Sequence, residues 1–105
     1  MGSFGLSLEA DPLGRLEAVV RGEPTTEGEL RKLWEAADGW ARTLQAQIAG
    51  SERRLRLLDG EAAAGLAEVS RELRRVDALR PQLIAVRRLL TDLESRAREL
   101  RAAWL

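Results

Sequence analysis

Two carboxylates, Glu68 and Glu72, stand four residues apart. That spacing would put a general acid and a general base on one face of a helix. Arg71 and Arg75 interleave them, however, as on an ordinary charged surface, so no catalysis is expected there. Ser3, Ser7, Ser51, Ser70 and Ser95 have no histidine to activate them, and a Ser–Lys dyad would have to use Lys32, the single lysine. Gly60 and Gly65 bracket a short Glu-Ala-Ala-Ala stretch without the Gly-Lys-Ser/Thr ending of a phosphate-cradling loop. The chain has no Cys and no His, which removes disulfides, zinc sites of Cys/His type and histidine-based acid–base work. The expectation is a protein that is not an enzyme, with no cofactor, no metal and no small-molecule substrate.

The remaining chemistry is charge and grease. Arg53, Arg54 and Arg56 cluster, and Arg71, Arg74, Arg75, Arg80, Arg87 and Arg88 continue the theme. Such a strip suits phosphates on a nucleic acid or an anionic membrane. It equally suits a solvated helix face neutralised by Glu52, Glu61, Glu68 and Glu72, and no interleaved aromatics offer stacking surfaces for bases. The 17 basic and 17 acidic side chains balance, without the basic excess of a nucleic-acid domain. Residues 1–50 carry five basic and eight acidic side chains, and residues 51–105 twelve and nine. Opposite net charges suit two halves folding on each other, or head-to-tail pairing of chains. Nucleic acid is therefore the second choice of partner, behind other helical protein chains.

The composition specifies how such residues must be carried. Leu (19) and Ala (16) dominate the apolar set, against seven Val and Ile together, so helices are expected and strands are not. The excess of arginine over lysine fits GC-rich coding. No run approaches the ~20 apolar residues that cross a bilayer. The start lacks the pattern of a classical secretory leader, and a cytoplasmic or otherwise intracellular protein is expected.

Residues 1–10 read as a flexible lead and 11–105 as one helical domain. Asp11-Pro12 is an N-cap followed by a first-turn proline. Leu13, Leu16, Val19 and Val20 then predict a short helix that stops at Gly22. Thr26 and Glu29 form a capping-box pattern that opens a long helix. Its apolar positions are Leu30, Leu33, Ala37, Trp40, Leu44, Ile48, Leu55 and Leu58. Leu58-Asp59-Gly60-Glu61 is the break, and a short turn between long helices makes them antiparallel. Beyond it, Leu66, Val69, Leu73 and Val76 form one series, and Leu79, Leu83, Val86, Leu90, Leu93, Ala97, Leu100 and Trp104 a second in alternating steps of three and four. The phase slips between them just before Pro81, which predicts a kink or break at Asp77–Pro81 with Asp77 as a new N-cap. Six acid-before-base pairs at i,i+4, among them Glu27/Arg31, Glu52/Arg56, Asp92/Arg96 and Glu94/Arg98, mark solvated faces.

The expected fold is all-α: a short N-terminal helix and an antiparallel hairpin of long helices, the second kinked, forming a bundle or a coiled coil. Candidate interface residues are the seam Leu79, Leu83, Val86, Leu90, Leu93, Ala97, Leu100 and Trp104, with Trp34 and Trp40 as possible anchors. In architecture the chain resembles small coiled-coil subunits of multiprotein tethering or adaptor complexes. That implies an interaction module in a homo- or hetero-oligomer. Its size, lack of cysteine and hairpin also resemble the small secreted proteins with a Trp-x-Gly turn. In this chain, though, Gly39 precedes Trp40 within a predicted helix and not at the turn.

Overall fold

Local signals set where the helices start and stop. In a computed structural model describing residues 13–59 and 65–104, α1 covers residues 13–20, α2 runs Glu27–Asp59 and α3 runs Leu66–Trp104. The fold is all-α, and no described residue lies in a strand. The expected lead, the Asp11-Pro12 start and the glycine of the hairpin turn, Gly60, lie outside the described residues.

The end of α1 follows from one glycine. Gly22 has a φ of 121°, a conformation that costs a side chain but not glycine. With it, the Gly22 amide donates to the Val19 carbonyl and the Glu23 amide to the Ala18 carbonyl. These are the two bonds of a Schellman cap, and they satisfy carbonyls that the helix end would otherwise orphan. Thr26 caps α2 as its sequence suggests: its hydroxyl accepts from the Glu29 amide at 3.1 Å. The reciprocal half of the capping box is absent from Glu29's contacts, because its carboxylate is bound by Thr25 and Arg15. Gly65 caps α3 through its backbone, its carbonyl accepting from the amides of Glu68 and Val69.

The interruption expected at Asp77–Pro81 does not occur, and Asp77 is no N-cap: α3 is one helix with Pro81 inside it. Proline removes one backbone donor and crowds the preceding turn. Here it sits on an exposed face, with Asp77 and Ala78 also exposed, so water can serve the carbonyl left without a partner. The Gln82 side chain donates to the adjacent Ala78 carbonyl. Val76 and Leu83, buried on either side of the proline, hold the segment to its core.

The chain divides into two compact units. In unit 1 (Met1–Trp40 with Val86–Leu105), α1 packs with the first half of α2 and the second half of α3 around Leu16, Val19, Leu30, Leu33, Ala37, Val86, Leu93 and Ala97. In unit 2 (Ala41–Ala85), the second half of α2 packs on the first half of α3 around Ala41, Leu44, Ile48, Val76 and Leu83. Cross-helix ion pairs join α2 and α3 in each unit, and in unit 2 their order shows the helices to be antiparallel. Arg101 meets Glu27 in unit 1, and Arg54 meets Glu72 and Arg80 meets Glu52 in unit 2.

Candidate interaction surface

The predicted seam is largely consumed by the chain's own core. Leu83, Val86, Leu93 and Ala97 are buried, and Leu79, Leu90 and Leu100 are half-buried. Only Trp104 is open, 48% exposed. The spacing correctly marks the apolar face of α3, and α2 and α1 supply side chains to the cores in which that face is buried. Of the two other candidates, Trp40 is half-buried and Trp34 is 38% exposed.

Polar clamps explain why α1 stays in unit 1. The Arg15 guanidinium grips the Glu29 carboxylate with two bonds of 2.8 Å, and also donates to Glu23 and to the Pro24 carbonyl. This fork-on-carboxylate geometry is the strong form of an ion pair. Together with the Thr25 hydroxyl it holds the Glu29 carboxyl at a pKa of about 2. On α3, Arg96 donates to the Gly22 carbonyl at 3.1 Å. A cation there meets the carbonyl end of α1, where the helix dipole favours positive charge. Arg96 pairs with Glu99, not with the Asp92 expected from sequence. Its Nε is buried without a hydrogen-bond partner.

The short contacts of Glu27 and Glu52 likewise cross to Arg101 and Arg80, and not along α2 to Arg31 and Arg56. The Arg101 guanidinium holds the Glu27 carboxyl below the usual carboxylate range. In unit 2, Glu72 accepts from Arg54 at 2.7 Å and from the Ser51 hydroxyl, and is likewise held low. Among the described residues no three acidic side chains gather as a metal-binding set, and no helix is long and apolar enough to cross a membrane.

Unit 1 contains a groove of about 450 Å³ between α2 and α3. Leu30, Trp34, Leu93 and Ala97 form its apolar part, and Arg31, Glu35, Glu94, Arg98 and Arg101 its charged part. Sequence reasoning identified Leu30, Leu93 and Ala97 as apolar-face residues, Trp34 as a candidate anchor and the Glu94/Arg98 pair, but not the groove. Leu30 and Trp34 are more than fifty residues from Leu93 and Ala97, and only the antiparallel register joins them. Unit 2 leaves Leu66, Leu73 and Ile84 exposed along α3 and Leu57 on α2. An apolar cleft with an exposed tryptophan and a charged rim can seat a side chain or a helix face while water still solvates its edges. No protein-family model, curated protein or solved structure matches the chain, so the groove beside Trp34 is judged on its own geometry.

Proposed function

We propose that this chain is a non-enzymatic helical interaction module, a subunit that joins other helical protein chains in a homo- or hetero-oligomeric complex as an adaptor or scaffold. The observation that carries this reading is Trp34. In a unit that already buries a complete three-helix core, this residue keeps a large aromatic ring partly in water, beside an apolar groove with charged edges. Tryptophan is among the residues most enriched where binding energy concentrates. Two residues of the expected α3 seam, Leu93 and Ala97, also line this groove, but both are buried in the core, so Trp34 is the apolar side chain a partner can reach. Location inside the cell belongs to the same reading: a cysteine-free chain asks nothing of an oxidising compartment.

The test is a photo-crosslinking amino acid placed at position 34 in the full chain expressed in its native host, with position 57 as an exposed control in unit 2. A discrete crosslinked species at 34 and none at 57 is expected. Crosslinking at 57 alone, or at neither position, would remove the groove as the recognition surface.

A further inference from the structure

Charge changes sign along the groove. Arg101 meets Glu27, and further along α2 Leu30, Trp34 and Glu35 share the groove with Leu93, Glu94 and Ala97, so a turn forward along α2 is matched by a turn back along α3. Arg31 therefore stands level with Arg98. One turn further, Glu35 stands level with Glu94, and all four line the groove. Arg101 also lines the arginine end, but it is already neutralised by Glu27. With a helical turn of ~5.4 Å, a pair of arginines and a pair of glutamates lie roughly one turn apart beside Trp34, the exposed apolar residue of the groove.

A two-fold axis lying across such a groove, perpendicular to the helices, carries its arginine end onto its glutamate end. It also lays α2 on α2 and α3 on α3. The surface is thus complementary to itself, as an isologous interface requires. We propose that the occupant of the groove is a second copy of this chain, docked on the same groove by that axis. In this dimer Arg31 and Arg98 of each copy face Glu35 and Glu94 of the other, and the two Trp34 rings lie near the axis. The proposal rests on the reading of the groove as the recognition surface, and it names the partner. All four charged residues are exposed, so their reversal leaves the core of the unit intact.

The experiment is sedimentation equilibrium on the full chain and on two double variants, with circular dichroism to confirm helicity. Glu35→Arg with Glu94→Arg makes the groove wholly basic, and Arg31→Glu with Arg98→Glu makes it wholly acidic. Wild type is expected to dimerise, and each double variant alone to dimerise at least about tenfold more weakly. An equimolar mixture of the two variants is expected to form a heterodimer. Trp34→Ala should weaken the wild-type dimer by about 30-fold, and Leu73→Glu, in unit 2, should leave it unchanged. Wild type that stays monomeric from about 1 µM to about 1 mM overturns the second copy as occupant. That result leaves the groove to a different helical partner, which the crosslink at position 34 would report. A dimer indifferent to both double variants and to Trp34→Ala likewise overturns the second copy as occupant, and the crosslink at position 34 then decides the groove reading separately.

Discussion

Leu83 and Ile84 are neighbours on α3 whose truncations should have very different costs. Leu83 is 8% exposed and belongs to the core of unit 2, whereas Ile84 is 59% exposed. Leu83→Ala removes a buried side chain and leaves a cavity that its surroundings fill only in part, a loss of about 3 kcal/mol. Unit 2 is built from only two helices, and its partial collapse around the gap keeps the value near the lower end of the known range. A chain of this length has about 5–15 kcal/mol in all, so the substitution consumes a large fraction of it. The melting temperature should fall by about 15 °C. Ile84→Ala loses less than half of a side-chain burial, on the order of 1 kcal/mol, and regains several tenths because alanine is the better helix former. Its net cost should be about 0.5 kcal/mol. The assay is thermal and denaturant unfolding followed by circular dichroism at two protein concentrations tenfold apart. A core residue of the single chain gives the same loss at both concentrations. Equal losses for the two variants would refute the assignment of faces on α3. A Leu83→Ala deficit that grows or vanishes with concentration would show that Leu83 packs between chains, as a seam shared with a partner would require.

Three further outcomes are expected. The Glu29 carboxyl is held at about 2, below its ordinary 4.5, so its ion pair with Arg15 is fully stabilising above about 4.5. That contribution drains away as pH falls through about 2. In an acid titration Arg15→Gln should narrow the stability difference from wild type over that window, and parallel curves throughout would contradict the clamp. Pro81→Ala should stabilise α3 by about 1–3 kcal/mol in a denaturant melt, because proline is exposed inside a continuous helix and alanine restores the missing donor. A loss of stability would mean that Pro81 makes a contact its exposure does not suggest. Nothing lies within 4 Å of where a Cβ would stand on Gly22 or Gly39, so conformation alone decides their alanine variants. Gly22→Ala should destabilise by about 1 kcal/mol through its positive φ, and Gly39→Ala, inside α2, should stabilise by about 1 kcal/mol. Shifts of the same sign would refute this.

What could be read from the residues in order was what depends on near neighbours. The Thr26 cap and the stop at Gly22 each close within a few residues, so the sequence contains both halves of the interaction. The three- and four-residue spacing on α3 likewise named the face that leaves water, because a helix repeats every 3.6 residues whatever it packs against. The tertiary structure decided the rest. A local rule about Pro81 gave way to the buried residues on either side of it. Glu29, expected to close its own capping box, was taken by an arginine fourteen residues away once α1 folded back. Periodicity marks a stripe as apolar without saying whose side chains cover it, and here the chain's own helices covered most of it. The groove at Trp34, with its alternating charges, arises only where α2 and α3 run antiparallel, since register across helices is set by packing and not by either helix alone.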